Sequence, residues 1–480
     1  VVATDADYFQ YIQKHYPDRL KVYRGDAGAY WEDGAASTAK ATTLNRHSQQ
    51  ILPLAETLSG LATLFEPRFR YPAEDFRAAW KNVMFYDEHT WGAYSSILQP
   101  DREFVTRQWE IKETYATRAN LDARNLLARS LNRLCQQMAV EGDTIFAFNL
   151  HNEKRSAPVE VELDKARYVV DLATQQPIPL DVVFEKDGWR KVRFMAVDVP
   201  AFGYKGYALR SLDKVPPTSA ENLKLTGDTI ESPYYRLTID NRNGSIKSLF
   251  DKAAHREMVD SAAAYGLNQY LYVSGGQDTR LIDNVYGRAI ANLAIDSPTS
   301  AKVLEITKTP FGQRLVVETS AKNTPRLRTE YIVYDAIKRV DISNVVTRTE
   351  TRAKEAIYFA YPFSSGKPFF EYQIQNGWVR PNEDQLPGAC REWFTTQNLV
   401  HVKDGDYSIA WSTPDAPLIT LTDINRGKWP KQLEINNGHV FSYVMNNYWF
   451  TNYKAAQGGD FQFRYSLTSG SSLGREQLAR

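Results

Sequence analysis

The chain has 480 residues, and its 58 basic and 57 acidic side chains give a formal charge of +1 at pH 7. A chain of this length folds as several domains rather than around one core. Its balanced charge provides no global basic field, so nucleic acid is not an expected partner. No apolar run is long enough to predict a membrane span. The two cysteines, Cys135 and Cys390, exclude a disulfide framework and a cysteine-rich zinc module.

The N-terminal residues predict a short α/β segment. Residues 6–16 place aromatic and aliphatic side chains on one helical face, and Pro17 follows them as a stop signal. Residues 21–23 could form a short strand. A glycine-punctuated loop comes next, from Gly25 to Gly34.

Three longer helices are predicted after this loop. They lie at about residues 37–65, at about 73–84, and between Pro100 and Gly142. In the first and the third, apolar residues recur at steps of three and four. Pro53 should bend the first helix or remove one of its hydrogen bonds, and Asp101 is the expected N-cap of the third. Adjacent helices with short connections predict a three-helix bundle.

After Gly142 the pattern changes from helical to extended. Short runs rich in Val, Ile, Tyr and Phe alternate with turn residues, which predicts strands. Residues 211–222 are the expected linker, and Asn243-Gly244 is an expected hairpin turn. Because this pattern continues to the C-terminus, we expect more than one β-sandwich.

The predicted fold class is therefore multidomain α+β. The tail of an α/β domain is followed by a three-helix bundle and then by large antiparallel β-sandwich domains. The expected limits are 1–40 for the tail, 41–140 for the bundle, 141–215 for a small β-domain and 216–480 for the large β-sandwich.

A first cluster of chemically active residues lies in the glycine-rich loop. Asp26, Glu32 and Asp33 surround Tyr30 and Trp31. Aromatic rings pack on the apolar faces of sugars, and apolar surroundings raise the pKa of a carboxyl group, so the combination suits glycoside chemistry. Acids near the start of a helix also satisfy backbone donors, so this segment by itself leaves a structural role open.

A second cluster follows the second predicted helix. His89 stands between Asp87 and Glu88 on one side and Trp91 on the other. Histidine and carboxylates are ligands of catalytic zinc. Because the segment has neither an HExxH motif nor a His-x-Asp pair, a hydrogen-bonded structural histidine is the alternative interpretation.

Four segments in this order resemble the α-mannosidases of glycoside hydrolase family 38. GDAGAYWEDGAASTAKATTLNRHSQQILPLAETLS resembles the end of that family's catalytic domain and its first bundle helix, and YDEHTWGA resembles the bundle segment that provides a zinc ligand. NGSIKSLFDKAAHREMVD and NNYWFTNYKAAQGGDFQFRYSLTS resemble the beginning and end of its large β-domain. The resemblance covers a C-terminal portion of the family, without most of the N-terminal catalytic domain.

The resemblance implies zinc-dependent hydrolysis of α-mannosides with retention of configuration. His89 would bind one zinc ion. The other zinc ligands and the nucleophilic aspartate are expected outside this chain. Asp26 would be the acid/base. The substrate-binding residues would be Tyr30, Trp31, Asp33, Glu88 and Trp91. The expected partners are a mannoside or oligosaccharide substrate and a companion polypeptide that carries the N-terminal catalytic domain.

The sequence also departs from the family pattern. Gly28 and Ala29 stand where an acidic residue is expected before the tyrosine–tryptophan pair, so Asp26 is the first candidate for the acid/base and Asp33 the second. Thr90 stands where many members have an aspartate. Residues 377–388 are either a loop that reaches the pocket or a long surface turn.

The alternative function is a non-catalytic carbohydrate-binding or scaffolding β-sandwich protein. The aromatic-rich β region and the missing catalytic residues favour it. Its candidate sugar contacts are Trp378, Trp393, Trp429 and Trp449.

Overall fold

The computed structural model describes residues 3–88, 91–211, 223–275, 293–425, 427–448, 452–475 and 477. The predicted linker therefore lies outside the described residues, except for its first residue. His89, Thr90 and Trp449 also lie outside them. The described part of the chain is an α+β structure of several domains, as predicted: helices come first and antiparallel sheets follow. Within it, no helix is both long and apolar enough to cross a membrane.

The helical region begins with α1 (Asp5–His15), which has no buried residue. Residues 21–23, a possible strand in the sequence, have no regular structure. A 3₁₀ helix (Tyr30–Thr38) leads directly into α2 (Ala39–Phe65), which remains helical through Pro53.

Helices α3 (Ala73–Asp87) and α4 (Glu103–Cys135) complete a bundle with α2. Small residues on α4, such as Ala119 and Ala123, let the helices approach closely, and Leu52 and Phe76 fill the space between them. Asp101 is not the N-cap of α4. Arg102 takes that place, and the Asp101 carboxylate binds Arg352 of the large β-domain instead.

Residues 144–211 form a small β-domain of two three-stranded antiparallel sheets. One sheet has the order β1 (Thr144–Asn149), β6 (Gly203–Ser211), β3 (Arg167–Asp171). The other has the order β2 (Arg155–Asp164), β5 (Trp189–Val199), β4 (Asp181–Lys186). Apolar side chains from both sheets form one core, which makes the domain a small sandwich.

The large β-domain begins at residue 223 in the described chain, and its strands are β7–β26. Their bounds are Leu223–Lys224, Thr229–Glu231, Tyr235–Ile239, Ile246–Asp251, Arg256–Glu257, Gln269–Ser274, Ala294–Asp296, Ala301–Thr309, Gly312–Ala321, Thr324–Tyr334, Val340–Arg348, Glu355–Phe363, Pro368–Ile374, Gly377–Val379, Phe394–Thr395, Leu399–Asp404, Tyr407–Ser412, Leu418–Leu421, Gly438–Asn446 and Gly459–Ser471.

These strands form three sheets. Ten strands pair in the order β20-β19-β22-β23-β26-β17-β16-β15-β14-β7, six in the order β13-β12-β18-β25-β24-β21, and four in the order β11-β10-β9-β8. The predicted Asn243-Gly244 turn lies between β9 and β10, where Gly244 has a φ of 76°. Side chains of all three sheets meet in one core.

The six-stranded sheet is buried on both faces, and this positions the candidate site. In β18, Ile357, Phe359 and Tyr361 belong to the main core, while Ala356, Tyr358 and Ala360 belong to a second apolar cluster on the other face. Ala35 and Ala36 of the 3₁₀ helix belong to this second cluster. The N-terminal segment therefore covers the outer face of the sheet, as an additional layer of the large β-domain.

Candidate active site

The segment that carries Asp26 is fixed by backbone hydrogen bonds to the large β-domain. Asp26 N donates to Asp384 O at 2.7 Å, Leu386 N donates to Asp26 O at 2.8 Å, and Cys390 N donates to Gly28 O at 2.8 Å. Gly25 precedes this contact with a φ of +134°, and a Cβ there would lie 2.7 Å from Asp384 O. A side chain at residue 25 would therefore prevent the approach.

A cavity of about 360 Å³ lies where this segment, the bundle and the large β-domain meet. Its walls include three carboxylates, Asp26, Glu32 and Asp87, together with the ring of Trp91. Gln385, from the predicted loop 377–388, also lines it. The cavity thus joins residues of both sequence clusters in a space large enough for a sugar unit.

Asp26 and Glu32 are both held by residues of the large β-domain. Tyr372 Oη donates to Asp26 Oδ2 at 2.9 Å, and the Thr395 hydroxyl donates to the Glu32 carboxylate. Glu32 also accepts the backbone N–H of Ala29 at 3.0 Å, as in a capping box. Burial raises the pKa of Glu32, although these two hydrogen bonds favour its charged form.

Asp87, the last residue of α3, also lines the cavity. It keeps accessible surface, and it accepts hydrogen bonds from Asn45 Nδ2 at 2.8 Å and Gln49 Nε2 at 2.7 Å. Partial enclosure by the cavity walls raises the pKa of Asp87 to about 6. The cavity therefore contains two carboxyl groups whose neutral form is favoured by their surroundings.

The position of Trp91 depends on Gly34. A Cβ at residue 34 would lie 2.4 Å from Cδ1 of the Trp91 ring, so the indole rests directly on the glycine backbone. Trp91 has a φ of 51° and also packs against the second apolar cluster. Its ring forms an apolar wall beside the carboxylates.

Four other predicted substrate-binding residues do not line this cavity in the described chain. Tyr30 stacks on Trp429 with centroids 4.1 Å apart, and burial raises its pKa to about 12. Asp33 is buried, where it accepts Asn446 Nδ2 at 3.1 Å and the hydroxyl of Tyr453. Trp31 is 48% exposed, and Glu88 pairs with Lys112 Nζ at 2.5 Å.

The described residues do not form a metal centre by themselves. None of their His, Cys, Asp and Glu side chains converge in groups of three or more suited to hold an ion. The Glu88 carboxylate is engaged by Lys112, and His89, the predicted zinc ligand, lies outside the described residues.

The sequence did not single out all the residues of the cavity wall. Arg46 lines the cavity and donates to four backbone carbonyls, those of Thr396, Gln397, Thr413 and Pro414. Arg46 belongs to a helix predicted from its periodicity, but its partners lie some 350 residues away, where no local pattern indicates them.

Two family models match the chain. Residues 29–156 match the alpha mannosidase middle domain, and residues 230–413 match the glycosyl hydrolases family 38 C-terminal domain. Together they cover more than half of the sequence. The chain therefore belongs to glycoside hydrolase family 38, as the ordered motifs predicted. None of the curated protein sequences matches the chain.

Two solved structures share the fold. An alpha-mannosidase from Enterococcus faecalis V583 superposes with a TM-score of 0.71 at 14% identity, covering 98% of this chain and 59% of that one. A family 38 glycosyl hydrolase protein from Enterococcus faecalis gives a TM-score of 0.66, also at 14% identity, covering 98% of this chain and 60% of that one. This chain thus spans about three fifths of each of these proteins.

Proposed function

We propose that this chain provides the middle and C-terminal domains of a zinc-dependent α-mannosidase that acts with retention of configuration. The observation that carries the proposal is the cavity in which Asp26, Glu32 and Asp87 meet beside Trp91. Family membership supports the glycoside substrate. Carboxylates beside an aromatic ring are the groups that glycoside hydrolysis requires.

In this proposal Asp26 is the acid/base. Its carboxyl group donates a proton to the glycosidic oxygen as the bond to the anomeric carbon breaks, and a nucleophilic carboxylate from outside this chain forms the glycosyl ester. Asp26 then takes a proton from the water that hydrolyses the ester. The hydrogen bond from Tyr372 fixes the orientation of Asp26 in both steps.

We propose substrate contact for two of the five residues predicted to bind substrate, and a supporting role for the other three. Trp91 would pack on the apolar face of the sugar. Trp31, which is exposed and follows Asp26 in the same segment, would offer a second ring. Tyr30, Asp33 and Glu88 would act from behind the cavity wall, since their contacts hold neighbouring segments in place.

The exposed N-terminal residues support a companion polypeptide. Tyr8, Phe9, Tyr11 and Tyr23 are each more than half exposed, and α1 buries nothing. Aromatic side chains at this density are typical of a surface that another polypeptide covers. We propose that the region with the nucleophile and the remaining zinc ligands packs on residues 5–23.

The test of catalysis compares Asp26→Asn with wild type in the protein assembled with that region. With methyl α-mannoside, whose leaving group needs a proton, kcat/KM should fall by about 10²–10⁴. With 2,4-dinitrophenyl α-mannoside, whose leaving group needs none, the formation of the glycosyl ester should be much less affected. Asp406→Asn, at an exposed residue in the turn between β22 and β23, is the matched control.

An equal loss on both substrates would remove Asp26 from the acid/base role. If the assembled wild-type protein hydrolysed no α-mannoside, the proposed function itself would be wrong. Metal analysis tests the zinc separately: His89→Ala should lower the bound zinc, whereas His255→Asn, at an exposed histidine, should not.

A further inference from the structure

A second cavity, of about 470 Å³, lies between the small and the large β-domains and shares no lining residue with the candidate active site. Its floor is one face of the ten-stranded sheet. Ala410 and Ser412 of β23 stand opposite Thr468 and Ser466 of β26 in the strand register. Residues two apart on a strand point to the same face, so Ser412, Ser466 and Thr468 place three hydroxyl groups around Ala410. The hydroxyls of Ser466 and Thr468 donate to Asp341 Oδ1 and Lys338 O, both at 2.6 Å, so toward a ligand these two oxygens act as acceptors.

Basic side chains surround this floor. Arg155, the first residue of β2, approaches from the small β-domain, and Lys338 and Arg339 come from the connection between β16 and β17. Lys338 Nζ pairs with Asp251 Oδ2 at 2.8 Å, and Arg339 Nη2 pairs with Asp341 Oδ2 at 2.9 Å. Each of these two cations thus has a carboxylate partner.

Arg155 differs from them. It is partly buried, and no carboxylate partner of its guanidinium is found among the described residues. Burial and the positive charge of Arg339 both lower the pKa of Arg155. Nε of Arg339 is also buried without a hydrogen-bond partner in the described chain. Arg155 thus lines the cavity with a guanidinium that has no carboxylate partner in the described chain, and a bound anion would stabilise it.

We propose that this cavity binds a small polyhydroxylated molecule carrying one oxyanion, such as a sugar phosphate or a sugar acid. The guanidinium of Arg155 binds the oxyanion, and the hydroxyls of the sheet floor bind the polar body of the ligand. The volume exceeds what an inorganic anion fills and lies in the usual range for small-molecule sites. This site does not depend on the function proposed for the first cavity.

The test is calorimetric titration at constant ionic strength with four probes: inorganic phosphate, glucose 6-phosphate, glucuronate and glucose. One of the two charged sugars should bind more tightly than inorganic phosphate, and glucose should show no binding. The stronger charged sugar then tells whether a phosphate or a carboxylate is preferred. If neither charged sugar bound, the proposal would be wrong.

Two variants and one matched control locate the site. Arg155→Gln should weaken binding by tenfold or more, since a charge-assisted hydrogen bond is lost. Arg118→Gln removes the same charge from the exposed face of α4 and should change affinity less than twofold. Ser412→Ala removes one hydroxyl from the floor with little risk to folding and should weaken binding severalfold. Equal affinities for wild type, Arg155→Gln and Ser412→Ala would place any binding elsewhere and overturn the proposal.

Discussion

Two glycines in the helical region should respond in opposite ways to the same substitution. At Gly34 an added Cβ would lie 2.4 Å, 2.5 Å and 2.7 Å from three atoms of the Trp91 ring. At Gly60, in α2, nothing lies within 4 Å of the added atom. Neither glycine has a positive φ, so backbone strain does not contribute to the difference.

The magnitudes follow from these contacts. Gly60→Ala should stabilise the protein by about 0.5–1 kcal/mol, because alanine loses less conformational freedom on folding. Gly34→Ala should gain a similar free energy from the reduced conformational freedom of the unfolded chain. However, the Trp91 ring must move by about 1 Å to reach van der Waals distance from the added Cβ, and overpacking of this kind costs roughly 1–3 kcal/mol. We expect a net loss of about 1–2 kcal/mol at Gly34.

Urea unfolding of both variants measures these effects as shifts in midpoint at an unchanged m-value. A double-mutant cycle with Trp91→Ala identifies the cause: once the ring is absent, Gly34→Ala should become neutral or stabilising. In the proposed enzyme, Gly34→Ala should also lower kcat/KM, since the displaced ring belongs to the cavity wall.

A Gly34→Ala protein as stable as Gly60→Ala would show that contact between residue 34 and the Trp91 ring does not limit stability. A loss of stability that persisted in the Trp91→Ala background would contradict the prediction as well, because overlap with the ring could then not be its source.

Three further predictions concern contacts between the helices, the N-terminal segment and the large β-domain. Arg46→Met should lower the urea midpoint by an amount equivalent to about 3 kcal/mol, because it leaves four carbonyls without their donor. Tyr372→Phe should lower kcat about tenfold with little change in KM or circular dichroism, since it removes only the hydrogen bond to Asp26. Burial raises the pKa of Asp415, but hydrogen bonds with His47 and from Arg464 outweigh it and hold the pKa below its usual value. The Asp415 carboxylate therefore stabilises the fold above about pH 4, and this contribution is lost as the pH falls through the folded-state pKa. Urea midpoints between pH 6 and pH 3 should accordingly fall less in Asp415→Asn than in wild type.

The sequence predicted the helices well because their signals are local. The apolar period placed the first long helix at about 37–65, and the second was predicted at about 73–84; the structure has α2 at Ala39–Phe65 and α3 at Ala73–Asp87. Asp101 shows where local rules fail. Aspartate is a common N-cap residue, but the carboxylate of Asp101 accepts a hydrogen bond from Arg352, 251 residues away, and does not cap the helix.

The candidate site shows the same limit. Asp26 and Trp91 were selected from the sequence, and both line the cavity. The contacts that fix them there could not be predicted: Tyr372 is 346 residues from Asp26, and the role of Gly34 depends on a ring 57 positions later that packs across a domain boundary. Cross-domain pairs of this kind leave no periodicity in a single sequence.

The arrangement of the cavity assigns the large β-domain a direct part in the proposed catalysis. The backbone around Asp26 is bound by Asp384, Leu386 and Cys390, and its carboxylate is bound by Tyr372. All four residues belong to the large β-domain, and so does Thr395, which holds Glu32. A proton donor must be positioned to within a few tenths of an ångström. Substitutions in the loop 384–390 and in β19, which hold Asp26, should therefore affect proton transfer as strongly as substitutions near the nucleophile. In the proposed enzyme, the large β-domain therefore positions the proton donor, and the segment around Asp26 is held in place by that domain.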